Sequence, residues 1–552
     1  MNGMVTKLRV RDEDFLVNSM IERCPPTMMI RELLQNAIEA SAALPEDQRL
    51  VEFSAHLADG VPKLAIWNTG IGLTGPELYR MCDIASSLRK ETGLDQNFGM
   101  GAKVASLPSN KRGMRYRSAR KGTIQEVVIG KFDGIYGRLR RPKPDGQMTE
   151  VLVVPSSEAE GRDPRVEWIE VVLLGNSAEQ NTVLNPYGVA RPDPRWLLDA
   201  IGLRFFRFPP SSRIVLQAGV AGLKEPRQLV STADRLAALE HYEAVKAPGG
   251  ITIHYAYDPE PAPHSGAVAA LVHRDEMYSV LSRQSWWREA GSFGITFLAR
   301  HVSILVELPC DFPVQAEAYR EFLRFSDGKN QQVRLLDFAS LVVAQQPAWL
   351  ARLMRDAAPS AAYLDDVQEE MAALLAELGV ARQRPRQQRA ANDAPAPAAT
   401  ADAPPAEPRP QQTETPPQML LLREQAEIED RGLKHRAALF YPETHQLHVN
   451  LLYPAVGELA KLLTDRAPPG LDATQVTLAA QMVAERSMVL RVARFLAHAL
   501  AKRSMRREWR EGHLRAALSP EALTLAADDI RSTRLEAEAA MAAALAGNAK
   551  PA

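Results

Sequence analysis

Glu32, Asn36 and Glu39 stand at positions i, i+4 and i+7 of the segment MIRELLQNAIEA, residues 29–40. With 3.6 residues per turn, these positions share one face of an α-helix, so a carboxylate, an amide and a second carboxylate are expected to point the same way. A carboxylate can take a proton from water, and an amide carbonyl can ligate a hard cation such as Mg²⁺. The alternative is the wet stripe of an ordinary amphipathic helix, with Met28, Leu33, Leu34, Ala37 and Ile38 as its buried side.

Two glycine segments follow. LAIWNTGIGLT, residues 64–74, sets Gly70 and Gly72 directly after a strand-like run. Without a Cβ the backbone there can turn tightly or approach a planar ligand, although an ordinary glycine turn has the same composition. NFGMGAKVAS, residues 97–106, comes after the polar, lid-like stretch ASSLRKETGLDQ and leads Gly99, Gly101 and Lys103 into a predicted helix. Backbone amides and the dipole at such a helix entrance suit phosphates. The string GxxxxGK[ST] of a P-loop does not occur.

Taken in this order, the three motifs resemble those of the GHKL ATPases, the group that includes gyrase-type topoisomerases, large heat-shock chaperones, sensor histidine kinases, MutL mismatch-repair proteins and MORC proteins. The resemblance covers residues 20–130 and reaches less closely to 190, and it is nearest in style to the MORC, MutL and heat-shock chaperone branch. It implies a Bergerat fold, a two-layer α/β sandwich whose mixed, largely antiparallel sheet is covered on one face by helices, with ATP between helices and lid. It further implies that Asn36 ligands Mg²⁺ and that Glu32 is the general base for water attack on the γ-phosphorus. Glu39 and Ala40 would be neighbouring nucleotide contacts, with Glu39 acting through water or a second layer. Asn68, Gly70 and Gly72 would line the base and ribose, and Gly99, Met100, Gly101 and Lys103 the phosphates. Lys103 has the alternative of a solvated helix residue, and Ser86, Ser87 and Lys90 of the lid receive no individual roles.

The chain departs from the pattern in two places. Relatives usually carry aspartate where Asn68 stands, and an amide can donate as well as accept, which loosens the expectation of adenine. Near Asn97 one glycine of the third motif is missing, which bears on lid closure and hydrolysis rate. The threonine that relatives place on a late strand has two candidates, Thr123 and Thr149.

The elements that must position these residues come from a chain too long for one core, so several domains are expected in its 552 residues. The overall class is α+β. Residues 1–190 alternate helical patterns with strand-like runs such as RLVEFSAHLAD, PKLAIWN, TIQEVVIG, TEVLVV and EWIEVVLLG. Residues 191–381 form a second α+β unit ending in helices, in the place of the branch's transducer domain, with Lys329 as its candidate phosphate contact. Residues 382–418, rich in Pro, Ala and Gln, cannot bury enough apolar surface to offset the entropy of ordering and are expected to be a flexible linker. Residues 419–552 have helical periodicity, with one short strand candidate in HQLHVNLL.

Bulk charge is balanced, 66 Lys and Arg against 67 Asp and Glu, so no partner is announced by the whole molecule. Residues 103–143 are locally basic, 12 Lys and Arg against 2 Asp and Glu, which suits nucleic acid or, alternatively, a solvated strand edge. Cys24, Cys82 and Cys310 have no metal-ligand spacing, and no signal-like or 18-residue apolar run occurs, so a soluble, cytoplasmic protein without a membrane partner is expected.

The function these readings favour is a Mg²⁺-dependent, slow ATPase in which ATP binding closes a lid, drives homodimerisation and remodels a macromolecular client. A nucleotide-binding scaffold without useful hydrolysis is the alternative. A histidine kinase lacks its preceding histidine domain, a topoisomerase lacks room for its other catalytic domains, and a MutL-type nuclease would have only His445 and His448 to offer, two histidines that suit a structural role better.

Overall fold

Three two-residue turns organise the N-terminal sheet. Asp59-Gly60, Lys121-Gly122 and Asp133-Gly134 all lie at positive φ, 52° and 76°, 51° and 76°, and 51° and 84°. That is the geometry of type I′ hairpins, whose twist matches that of the flanking strands. A computed structural model of the chain describes residues 11–84, 101–193, 195–261, 266–317, 319–326, 331–357, 361, 363–380, 414–469, 471–504 and 508–547.

The hairpins join β1 (Leu50–Ala58) to β2 (Val61–Thr69), β3 (Met114–Arg120) to β4 (Thr123–Phe132), and β4 to β5 (Ile135–Arg138). A small ladder, β6 (Arg141–Pro142) with β7 (Met148–Thr149), precedes β8 (Val151–Val154) and β9 (Trp168–Leu173), and β10 (Arg213–Leu216) and β11 (Arg227–Gln228) follow. The strand order is β11-β10-β1-β2-β9-β3-β4-β5, with β8 also on β4; β1 and β10 run parallel and the other pairs antiparallel. The sheet therefore continues past residue 190, where the sequence placed the end of the first unit.

One face of this sheet is apolar. Phe53, Leu64, Ile66, Met114 and Leu173 pack under α1 (Glu13–Glu22), α2 (Met28–Ser41), α4 (Gly101–Ser106) and α5 (Trp196–Gly202) through Ile21, Ile30, Leu34, Val104 and Leu197. The short α3 (Gly75–Met81) is capped by the Thr74 and Glu77 pair. Because strand side chains alternate, the opposite face carries Glu52, Ser54, His56, Arg115, Arg117, Glu126 and Glu170. It is covered by the turn around Glu160 and by a small cluster that includes Trp67 and Trp168.

The second unit is built on a five-stranded sheet of β12 (His241–Lys246), β13 (Thr252–Tyr257), β14 (Val268–His273), β15 (Glu276–Ser282) and β16 (Val302–Glu307), in the order β12-β13-β16-β14-β15. Three short strands, β17 (Val314–Ala316), β18 (Leu323–Phe325) and β19 (Gln332–Val333), form a separate meander.

After residue 413 the chain departs from its helical reading. Gln418–Leu422 (β20) and Ala438–Tyr441 (β21) are strands, and they flank the expected one, Gln446–Asn450 (β22). Four consecutive apolar residues, Met419 to Leu422, have no period that separates strand from helix. The structure explains the run: Met419 and Leu421 enter the C-terminal helical core, while Leu420 and Leu422 enter that of the second sheet. The long helix Ala473–Ala501 forms the axis of the helical core and is packed by Pro454–Asp465, Pro520–Asp528 and Ile530–Gly547. Leu364–Glu377, assigned by sequence to the second unit, also packs there through Val367, Met371 and Leu375.

Most of the expected linker lies outside the described residues. Its flanks meet, since Glu414 N–H donates to the Val380 carbonyl at 2.7 Å, so the chain returns to the place it left. No helix among the described residues is long and apolar enough to cross a membrane. Cys24 and Cys82 are buried, Cys310 is exposed, and all three are free.

Candidate functional site

Helix α2 buries Met28, Leu33, Leu34, Ala37 and Ile38, the apolar side expected of an amphipathic helix, but its polar stripe is not uniformly wet. A wet stripe requires Glu32 to be solvated, yet Glu32 is only 9% exposed. Further along the same face Asn36 is exposed and Glu39 half-buried, with Gln35 Nε2 donating to Glu39 Oε1 at 2.8 Å. The stripe runs from a buried carboxylate to a solvent-exposed amide residue.

One glycine from each of the other two motifs closes on this helix. A Cβ at Gly101 would lie 1.8 Å from Glu32 Oε2, and one at Gly70 would lie 2.5 Å from the Ala40 carbonyl oxygen. Gly72 packs against β3, where a Cβ would meet the Ala119 carbonyl oxygen at 1.9 Å. These contacts differ in kind. Glu32 Oε2 is the far end of a side chain, so Gly101→Ala is expected to displace the Glu32 carboxylate and disturb its buried pair with Arg31 without moving main chain. Gly72→Ala drives a methyl into main chain and is expected to cost about 1–3 kcal/mol. Thermal unfolding of the two variants side by side checks the contrast.

Asn68 is buried on the helix-covered face, and its Nδ2 donates to the Thr69 carbonyl at 2.9 Å. Its neighbour on β9 is Ile169. Neither Thr123, at the start of β4, nor Thr149, on β7, lies on a strand beside β2. A hydroxyl that sequence reading passed over lies beneath the second motif: Ser118 Oγ accepts from Leu73 N–H at 2.7 Å and donates to the Trp168 carbonyl at 2.9 Å.

Lys103 is neither solvated nor turned to the helix entrance. Its Nζ donates to the carbonyls of Met81 at 2.5 Å and Asp83 at 2.6 Å, at the C-terminal end of α3 where cations are favoured. Burial pushes the amine down to about 8. A phosphate role would require it to leave those carbonyls. Gly99, Met100, Ser86, Ser87, Lys90, Asn97 and Lys329 lie outside the described residues.

Sequence reading also passed over Arg31. Its Nη1 donates to Glu32 Oε1 at 2.5 Å, and its Nε donates to both oxygens of Glu276, on β15 of the second unit, at 3.1 and 3.2 Å. A further bond joins Arg31 Nη2 to Glu276. Arg204 grips Glu276 from the other side at 2.6 and 3.0 Å. Burial would raise the Glu276 carboxyl, but Arg204 and Arg31 outweigh it and hold it at about 2. An arginine among apolar residues of a helix signals a buried acid, but no local pattern names an acid 245 positions away.

The basic segment is mostly engaged within the protein. β3 lies between β9 and β4 and is no edge, whereas β5, which carries Arg138, is an edge strand of the sheet. Arg117 binds Glu126 and Glu160 at 2.6 Å each, Arg120 binds Glu77 at 2.6 Å, Arg112 binds Asp59 at 2.6 Å, and Lys131 binds Glu22 at 2.9 Å. Arg138 pairs with Asp83, and Arg141 with Glu126. The composition therefore overstates the charge this segment offers to phosphates. His445 and His448 also separate. His448 is fully buried and accepts from Arg431 Nε at 3.0 Å, whereas His445 Nε2 lies 2.6 Å from the Thr415 carbonyl. Compared with known proteins, the chain matches no family model and no curated protein.

Proposed function

We propose that the chain binds Mg²⁺-ATP along α2 and hydrolyses it slowly, using lid closure and dimerisation of the N-terminal units to act on a macromolecular client. The observation that carries this reading is the convergence of three separated motifs on one helix, with Gly101 against Glu32 and Gly70 against Ala40. Glycine at these positions lets the main chain of both motifs pack directly against the helix.

Of the residues the resemblance implies, Asn36 and Glu32 suit the metal and the attacking water. Asn36 is exposed, and its amide oxygen would take one position on a Mg²⁺ ion that keeps several waters. The ion would supply charge neutralisation to the phosphates. Glu32 would orient the attacking water and take its proton through Oε2, because Arg31 holds Oε1. Burial keeps bulk water from competing for that carboxylate. Glu276, by gripping Arg31 from the second unit, ties the geometry of Glu32 to the position of that unit.

The second reading is a nucleotide-holding scaffold. It is favoured by the Arg31 to Glu32 pair, which occupies half of the base, and by Asn68 in place of an aspartate. Binding of ATP and GTP with and without Mg²⁺, measured beside phosphate release, separates the readings. The expected result is Mg²⁺-dependent ATP binding with slow turnover, and loss of the Mg²⁺ dependence in Asn36→Ala. A wild-type protein that binds no nucleotide would end the proposal, and binding without release would leave the scaffold.

A further inference from the structure

We propose that the face of the N-terminal sheet turned away from α2 holds a divalent transition-metal ion between His56, Glu160 and Glu170. The three residues come from β1, from the turn before β9 and from β9 itself, and one ligand atom of each can be chosen so that all lie within 4.8 Å of one another.

Unanswered polar atoms point to a ligand here. Glu170 is fully buried, and neither of its carboxylate oxygens has a hydrogen-bond partner among the described residues. The surrounding arginines are committed elsewhere: Arg115 and Arg117 to Glu160 at 3.3 and 2.6 Å, Arg117 also to Glu126, and Arg162 to Glu52 at 3.2 Å. A buried carboxylate left out of such pairs is costly unless something binds it.

His56 is set up as a ligand. Its Nε2 lies 3.1 Å from Ser54 Oγ, the type of contact that fixes a metal-binding ring, and its Nδ1 has no hydrogen-bond partner among the described residues. Nδ1 lies 3.6 Å from Glu160 Oε1, whereas the 3.7 Å approach of Glu170 Oε1 is to Nε2, so an ion held by Nδ1 also requires the ring or the Glu170 carboxylate to shift. Tetrahedral ligands with bonds of about 2.1 Å sit roughly 3.4 Å apart, so the exposed Glu160 has only a short way to close on Nδ1. One imidazole with two carboxylates suits Zn²⁺, Mn²⁺, Fe²⁺ or Co²⁺ over Mg²⁺, and three protein ligands leave a position for water. The arginines oppose a cation, which makes this a weaker site than a closed structural zinc centre.

The test uses the full chain, stripped with chelator and titrated with Zn²⁺, Mn²⁺ and Co²⁺ in the absence of nucleotide and Mg²⁺. One saturable site is expected, with visible absorption bands for Co²⁺. His56→Ala and Glu170→Gln should each weaken it tenfold or more, while Asn36→Ala should leave it unchanged. Glu160→Gln, at the rim, gives the same readout should the buried variants fail to fold. Absence of a saturable site overturns the proposal, leaving Glu170 as a residue that carries a proton. Binding that none of the three ligand substitutions weakens overturns it equally.

Discussion

Glu32→Ala is expected to lower ATP turnover by about 10²- to 10⁴-fold, the usual contribution of a positioned general base, while leaving ATP affinity within a few fold. The expectation follows from where the carboxylate lies. Its Oε2 lies against Gly101 at the entrance of α4, and its Oε1 is held by Arg31, so it contributes direction more than binding surface. Glu32→Gln is the sharper variant. It keeps an acceptor for Arg31 and the shape of the site, and removes only the capacity to take a proton. Phosphate release and equilibrium nucleotide binding, measured on wild type and both variants, give the answer. Equal turnover in all three would remove Glu32 from the chemistry and favour the scaffold. Loss of binding with turnover would mean that Glu32 builds the site and does not act in it.

What the sequence made legible was local. The period of MIRELLQNAIEA placed Glu32, Asn36 and Glu39 on one helix face, and the strand-like runs of residues 1–190 fall on β1, β2, β4, β8 and β9. Long-range burial was hidden. Lys103 looked like a helix-entrance lysine because composition does not reveal that its amine reaches the carbonyls at the end of α3. The arginines of β3 looked like an edge or a phosphate-binding face because their partners, Glu126 and Glu160, come from a neighbouring strand and a distant turn. The run at 419–422 gave no period because both of its faces are buried, each in a different core. In each case the missing information was which surface the residue would meet, and that is set by topology.

The buried acid at Glu276 shows the same limit at its largest, and it carries the second expectation. Glu276→Gln leaves Arg31 and Arg204, both little exposed, facing a neutral amide, and is expected to destabilise the junction of the first two units by about 3–5 kcal/mol. The depression of the Glu276 carboxyl by the two arginines is of the same order. A carboxyl held at about 2 in the fold and at its ordinary 4.5 in the unfolded chain is worth roughly 3 kcal/mol. The sign follows from the depression. The contribution is complete above pH 4.5, declines as the acid is protonated, and is gone near pH 2. Wild type and variant should therefore differ most at neutral pH and converge as pH falls through that window, read as the first transition in thermal or urea unfolding. Limited proteolysis between residues 202 and 213 should report the same loosening. A second readout separates structure from function. Once Glu276 no longer competes for Arg31, the guanidinium can close fully on Glu32, so at temperatures where the variant is folded its kcat should fall while its KM stays near that of wild type. Unchanged stability would mean that the two arginines find water or other acceptors. Lost stability with unchanged kcat would make Arg31 a structural clamp between the units, with no hold on the base.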